Sequence, residues 1–126
     1  MATIGHPLSD LANLLNPYVL AINPAEPGGN SAFVPGATPG LPLEGQALAW
    51  YSAVAGWDPV PDMSWGAAFG MLRSCVIMQG IAARYALRQA SSANAKSYAD
   101  MMVPFGELAW SLVQKVKDSM GPKERL

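Results

Sequence analysis

The stretch MSWGAAFGMLRSCVIMQGIAARYALRQ, residues 63–89, decides the fold of this chain of 126 residues. It is apolar nearly all round through its first five turns, and in a soluble protein that pattern predicts the central, most buried helix. Gly66, Gly70 and Ser74 recur at every fourth position. We therefore expect a ridge of small side chains along which a second helix approaches closely.

The chain ahead of this helix predicts one short helix and a long loop. Apolar residues at helical spacing follow Pro7, and the helix is expected to end near Asn16 because Pro17 comes next. Residues 23–42 are dense in proline and glycine, which predicts a surface loop without regular structure.

Two more helices are predicted, one on each side of the central one. The first covers residues 43–55, with Trp50 and Tyr51 anchoring it to the core and Gly56 at its C-terminal stop position. The other covers residues 95–120, and Pro104 is expected to kink or split it because proline has no N–H.

No period-2 alternation is visible in the sequence, so we predict an all-α fold with three to four main helices. The length fits one domain over residues 1–126, whose last six residues, 121–126, are expected to fray.

Composition narrows the possible partners. Hydrophobic residues make up 51% of the chain and charged residues 13%, so few charges cover the surface and an exposed apolar face is expected to meet a partner. The net charge of −1 disfavours nucleic-acid binding. Residues 65–87 are apolar but contain Arg73, whose burial in lipid is costly, so we expect a core helix and no membrane association.

Cysteine usage and the N-terminal sequence bear on localisation. Cys75 is the single cysteine, and without a disulfide partner it fits a reducing compartment, so we expect a cytoplasmic protein. The N-terminus does not read as a cleaved signal peptide.

Two segments resemble one known superfamily. GHPLSDLANLL, residues 5–15, resembles the Gly-Asp-Pro-x-x-Asp-Leu-Ala signature of the aminoglycoside phosphotransferase and choline kinase-like superfamily, with His6 in place of the first Asp. Residues 57–94 resemble the helical C-terminal subdomain of its branch related to the kinase-like part of acyl-CoA dehydrogenase fusion proteins, where Phe69, Arg73 and the Gln79-Gly80-Ile81 step fit.

This resemblance implies the helical C-terminal subdomain of a protein-kinase-like fold. The full family fold uses ATP and magnesium, and it carries its catalytic and metal-binding residues in His-Gly-Asp-x-x-x-x-Asn and Asp-Trp-Glu strings. Neither string occurs in this chain. We therefore expect a C-terminal fragment of a small-molecule phosphotransferase, with no catalytic residue, metal site or cofactor of its own and no activity when isolated.

The resemblance also implies roles for three residues. Asp10 matches the aspartate that anchors the catalytic loop, although an N-cap for the first helix is an equally good interpretation. Arg73 and Arg84 share a helix face and are candidates for facing the substrate. The alternative for Arg73 is a structural ion pair, for which Asp10, Asp58 and Asp62 are the candidate partners.

A second hypothesis comes from a different class. The chain would be a stand-alone helical module that binds a partner or itself through an exposed apolar face containing Trp50, Trp65 and Trp110. The expected partner is thus either the missing N-terminal kinase lobe or a second copy of the chain. Neither His6 nor Cys75 has a recognisable catalytic companion, so an unrelated enzyme is disfavoured.

Overall fold

The computed structural model describes residues 5–22 and 29–120, which form five α-helices and two short 3₁₀ turns. The helices are α1 Leu8–Ala21, α2 Glu44–Ala55, α3 Met63–Ala86, α4 Ala95–Asp100 and α5 Met102–Ser119. The 3₁₀ turns are Ser31–Phe33 and Val60–Asp62. No β-strand occurs within the described residues, so the predicted all-α class is confirmed.

Helix α3 is the element on which α1, α4 and α5 pack. The predicted ridge of small residues is confirmed at its contact with α1. A Cβ atom at Gly66 would lie 3.2 Å from the Cβ atom of Ala12, and one at Gly70 would lie 2.6 Å from Oδ1 of Asn16. Glycine at these two positions is therefore what allows the helices to approach so closely.

The core consists of two clusters of buried side chains on either side of this crossing. The first joins α1 and α2 to the start of α3, and the second joins the end of α1 and the middle of α3 to α5. The first contains Leu11, Ala12, Leu15, Leu48 and Met63. The second contains Leu20, Met71, Phe105, Leu108 and Ala109. Both clusters share α1 and α3, which hold the two halves of the core together.

The helix predicted to be the central and most buried one, α3, is buried only in its first half. Every fully buried residue of α3 lies between Met63 and Met71, whereas Leu72, Val76 and Ile77 are each more than half exposed. The reason is length, because α1 has 14 residues and α3 has 24. Helix α1 therefore does not reach the C-terminal end of α3.

Residues 60–86, which include α3, are long and apolar enough to cross a membrane, and 28% of their most apolar stretch is buried inside the structure. Length and composition alone do not separate such a helix from the core helix of a soluble protein. The absence of a membrane partner therefore stays a prediction.

The predicted end of α1 at Asn16 is also wrong, because α1 continues through Pro17 to Ala21. Proline inside a helix removes one backbone hydrogen bond and costs about 3 kcal/mol. The residues that follow, Val19 and Leu20, are both buried. Each such burial contributes about 1.5–3 kcal/mol, so tertiary packing offsets the cost of the proline.

Helix α2 begins at Glu44, one residue after the predicted start, ends at Ala55 as predicted, and keeps one of its two predicted anchors. Gly56 ends it in the left-handed conformation, with φ of 74°, as expected for a C-terminal stop. Its one fully buried residue is Leu48, and Tyr51 packs partly buried against the first cluster. Trp50 is 63% exposed. The helix is therefore rotated relative to the face that its aromatic pair indicated.

The described part of the proline- and glycine-rich loop, residues 29–42, is fixed against α1. Tyr18 donates a hydrogen bond from its hydroxyl to the carbonyl oxygen of Pro42, over 2.7 Å. Its ring also meets the Phe33 ring edge-on, at 5.2 Å between centroids. The rest of the predicted loop, residues 23–28, and the predicted frayed tail, 121–126, lie outside the described residues.

The predicted split before the C-terminus is confirmed. Helix α4 ends at Asp100 and α5 begins at Met102, so the break precedes Pro104. Pro104 is then the third residue of α5, in a turn whose N–H groups have no partner inside the helix. Because α5 begins at Met102, the missing N–H of Pro104 removes no hydrogen bond from the helix.

Candidate functional site

The segment GHPLSDLANLL forms the entry to α1, and His6 organises it. The His6 Nδ1 atom accepts a hydrogen bond from the backbone N–H of Leu8 at 3.2 Å, and its ring meets Trp57 edge-on at 5.6 Å. Asp10 lies exposed in the first turn and makes no side-chain cap hydrogen bond. The N-cap interpretation of Asp10 is therefore wrong, and its role as a loop anchor stays a prediction.

Arg73 and Arg84 both lie exposed on α3. Their eleven-residue separation corresponds to about 16 Å along the helix axis. Arg84 donates a hydrogen bond from Nε to the carbonyl oxygen of Gly80 in its own helix, at 3.2 Å. Within the described residues the one ion pair joins Lys96 and Asp100, at 2.8 Å. The suggested ion pair of Arg73 is thus not formed, because an exposed guanidinium is stabilised by water.

The described residues contain no cluster of three or more His, Cys, Asp or Glu side chains that could hold a metal ion. Cys75 is a free, half-buried thiol. Its Sγ atom lies 3.3 Å from the place where a Cβ atom at Gly106 would stand. Its sulfur therefore belongs to the contact between α3 and α5.

An apolar groove of about 350 Å³ runs between α3 and α5. Its floor consists of the small residues Ala68, Gly106 and Ala109. One wall belongs to α3 and the other to α5. The wall residues are Trp65, Phe69 and Leu72 on α3, and Trp110 and Val113 on α5. All eight lining residues are apolar, so the groove offers shape and hydrophobic surface but no chemistry.

The groove arises because the two helices touch through their small residues. Gly106 brings the backbone of α5 close to Cys75, and Phe105, Leu108 and Ala109 of α5 pack with Met71 of the core. Large side chains that flank this contact cannot enter it and stay on the outer surface. The result is a narrow floor between two tall walls, which we call the α3–α5 groove.

The walls of the α3–α5 groove are exposed to a degree that is unusual for aromatic residues. Trp65, Phe69 and Trp110 are 43%, 54% and 62% exposed. An aromatic side chain offers about 150–250 Å², so these three alone leave roughly 300 Å² of apolar surface open. That area reaches the size of the largest apolar patch on a typical monomer, and patches of that size are often functional.

Charged residues of both signs flank the α3–α5 groove. Lys117 lies over the Trp110 ring, with its ammonium nitrogen 5.8 Å from the ring centroid. Arg73 follows Phe69 by one helical turn and adjoins Leu72. Two exposed carboxylates also flank the walls, because Asp62 lies three positions before Trp65 and Glu107 lies three positions before Trp110. The groove is therefore apolar inside, and its rim carries both basic and acidic residues.

A larger crevice of about 520 Å³ lies between α1, α2, α3 and the end of α5. Its lining mixes apolar side chains with Glu44, Ser64 and Lys115. Burial raises the pKa of the Glu44 carboxyl above its ordinary value. We assign no ligand to this crevice.

The structure brings together two of the three tryptophans that the sequence placed on one face. Trp65 and Trp110 face each other across the α3–α5 groove, whereas Trp50 lies on α2 and does not line it. The sequence pattern did not lead us to predict the floor of the groove. The small residue at Gly106, four positions before Trp110, was the available signal, because small residues mark places where helices approach closely.

No family model, curated protein or solved structure matches this chain. The resemblance to the aminoglycoside phosphotransferase superfamily therefore stays a prediction that rests on residues 5–15 and 57–94.

Proposed function

We propose that this chain is a helical interaction module that binds a partner in the α3–α5 groove. The observation that carries the proposal is a concave and wholly apolar groove whose aromatic walls are about half exposed. Binding sites for amphipathic helices have this form, with a hydrophobic channel that receives side chains spaced by three or four residues. Exposed tryptophan is also among the residues that contribute most to binding energy.

The dimensions of the groove fit such a helix. Its α3 wall runs from Trp65 to Leu72, which is about 10 Å of helix, or two turns. Two turns present three anchors, at positions i, i+3 or i+4, and i+7. A floor of glycine and alanine leaves room for the larger side chains of the partner.

The test is a titration of a fluorescent model helix followed by anisotropy. The peptide carries a leucine ridge at i, i+3, i+4 and i+7, glutamine elsewhere, and a side-chain staple that keeps it helical. Wild-type protein should bind it, and Trp110→Ser should weaken binding about tenfold or more, since a central aromatic anchor contributes about 2 kcal/mol. Equal affinity of the two proteins, or no binding to either, would refute the proposal.

The chain supplies a matched control for this titration. Trp50 and Trp110 are 63% and 62% exposed, but Trp50 lies on α2, outside the groove. Trp50→Ser therefore makes the same substitution at an equally exposed tryptophan, but on a different surface. It should leave the affinity for the peptide unchanged.

The phosphotransferase hypothesis is a second proposal, favoured by one observation. GHPLSDLANLL forms the entry to the first helix of an all-α chain, in the place where the resemblance puts the start of a helical subdomain. Under this proposal the occupant of the α3–α5 groove is the remainder of a kinase-like fold. Asp10, Arg73 and Arg84 would act only in that assembled protein, with ATP and magnesium bound elsewhere.

A further inference from the structure

We propose that the partner in the α3–α5 groove is a second copy of this chain, and that two copies pair through their α3 and α5 helices into a four-helix bundle. This inference rests on the proposed function and names the partner. Charge does not choose the occupant of the groove, because Asp62 and Glu107 flank it as well as Arg73 and Lys117. The extent and the shape of the exposed apolar surface favour a second copy.

The exposed apolar surface extends beyond the groove and belongs to both helices. On α3 its members follow a spacing of four, three and four residues, which is that of a heptad seam and places them on one face of the helix. On α5 its two members lie seven residues apart, or two turns, and also share a face. The six large side chains, each 43–62% exposed, are Trp65, Phe69, Leu72 and Val76 of α3 and Val103 and Trp110 of α5. We call this surface the two-helix face.

The two valines of this face lie at the same end of the groove. Gly106 of α5 lies beside Cys75 of α3, and the two helices run antiparallel. Val76, which follows Cys75, and Val103, one turn before Gly106, therefore extend the groove in the same direction. The face is about 16 Å long from Trp65 to Val76. Two antiparallel helices with apolar stripes on one side have the form of half a four-helix bundle.

The area of the two-helix face is close to what a stable dimer needs. Its three aromatic residues leave roughly 300 Å² of apolar surface open. A fully buried Leu or Val side chain accounts for roughly 60–120 Å², so the three aliphatic residues, each about half exposed, bring the open apolar surface to roughly 450 Å². Homodimer interfaces are about 65% apolar, which corresponds to a total of roughly 700 Å² per copy. A standard interface buries about 800 Å² per partner.

The shape of the face is complementary to itself. The α3 row forms a ridge, and the α3–α5 groove lies directly beside it with a floor of Ala68, Gly106 and Ala109. A two-fold axis parallel to the helices, halfway between ridge and groove, places the ridge of each copy in the groove of the other. Such a symmetric contact fills both grooves at once.

A lone helix or a membrane covers this face less completely. A lone helix in the groove contacts the inner sides of the two walls and leaves their outer sides in water. A flat lipid surface touches Trp65 and Trp110 but leaves the small floor residues between them uncovered. A second copy brings two helices, which match the width of the face.

The experiment measures the mass of the full chain by sedimentation equilibrium over a range of protein concentrations. Wild-type protein should pass from a monomer of 13.3 kDa to twice that mass as its concentration rises. Phe69→Ser and Trp110→Ser should each raise the dissociation constant about tenfold or more, because each removes an aromatic anchor from both copies. Trp50→Ser, on α2, should leave it unchanged. All three side chains are exposed, so the variants should keep the wild-type circular dichroism spectrum.

The stapled leucine-ridge peptide separates this inference from the proposed function. In excess it should dissociate the dimer, because it occupies the same groove. A chain that stays monomeric but binds the peptide through Trp110 would overturn the second copy and leave the groove as a docking site. A monomer that does not bind the peptide would overturn both.

Two further outcomes would assign the face or the dimer differently. A dimer that persists in Phe69→Ser and Trp110→Ser, or that binds the peptide without dissociating, would use another surface and overturn this inference. Monomeric protein that binds vesicles of phosphatidylserine and phosphatidylcholine, with binding lost in Phe69→Ser, would assign the two-helix face to a membrane and overturn it as well.

Discussion

Replacing Gly70 with alanine tests the close contact between α3 and α1 at Asn16. The new methyl group would stand 2.6 Å from Oδ1 of Asn16, well inside van der Waals contact. That oxygen is buried and has no hydrogen-bond partner, so Asn16 must shift to make room. Overpacking of this kind costs about 1–3 kcal/mol, whereas alanine in place of glycine stabilises a helix by about 1 kcal/mol. We therefore expect Gly70→Ala to destabilise the protein by up to about 2 kcal/mol.

The same substitution should reverse its sign when Asn16 is alanine. Asn16→Ala removes the atom that the new methyl group would meet. The higher helix propensity of alanine at position 70 then stabilises the protein without a steric clash. In that background Gly70→Ala should stabilise the protein by about 1 kcal/mol. The double-mutant cycle should thus give a coupling energy of about 1–3 kcal/mol between positions 16 and 70.

The assay is urea unfolding of the four proteins at constant temperature. Gly80→Ala is the matched control, because its new methyl group would lie 3.7 Å from its nearest neighbour, the Nη2 atom of Arg84. It should stabilise the protein by about 1 kcal/mol in both backgrounds. If the effects at positions 16 and 70 add within about 0.5 kcal/mol, or if Gly70→Ala stabilises as much as Gly80→Ala, the crossing is not as close as described.

Three further predictions concern the loop, the larger crevice and catalysis. Tyr18→Phe removes the hydrogen bond to the Pro42 carbonyl and should lower the free energy of unfolding by about 1 kcal/mol in urea titration; an unchanged value would mean that the loop is not held there. Burial raises the pKa of Glu44, so the folded state binds its proton more tightly than the unfolded state and loses stability as pH rises through that range. The stability of Glu44→Gln relative to wild type should therefore increase from about pH 4 to 7, and a flat difference would contradict this. The isolated chain incubated with ATP and magnesium should transfer no phosphate. Magnesium-dependent turnover of ATP by this chain would contradict that expectation.

Much of the helical organisation could be predicted because it depends on local chemistry. Gly56 ends α2 since glycine tolerates a φ of 74°. The spacing of Gly66 and Gly70 predicted the helix crossing that Ala12 and Asn16 complete. Pro104 predicted the break between α4 and α5. In each case one or two residues carry the signal.

The failures share a different physical cause, which is tertiary packing. Pro17 alone predicts the end of a helix, and the burial of Leu20 against the second cluster overrides it. Helix α3 is apolar on every side, so its periodicity does not reveal which side its neighbours cover. Trp50 was expected to anchor α2 to the core, but it is exposed, and Leu48 and Tyr51 pack there instead.

The sequence predicted an exposed apolar surface with tryptophans but did not predict where on the fold it lies. Trp65 and Trp110 were expected on an exposed apolar face, yet they are 45 positions apart, and only the antiparallel packing of α3 on α5 brings them into one groove. Asp10, Arg73 and Arg84 were predicted from a resemblance to a larger fold. Within the described residues none of the three forms an ion pair, and their proposed roles stay predictions.

The most direct measurement uses the four tryptophan side chains as probes of the groove. Trp65 and Trp110 line it, whereas Trp50 lies on α2 and Trp57 packs against His6 and Tyr51. In a ¹H–¹⁵N correlation spectrum each indole N–H gives its own resonance. Adding the stapled leucine-ridge peptide should shift the resonances of Trp65 and Trp110 and leave those of Trp50 and Trp57 in place. Shifts centred on Trp50 or Trp57, or no shift at any of the four, would contradict the assignment of the α3–α5 groove as the docking site.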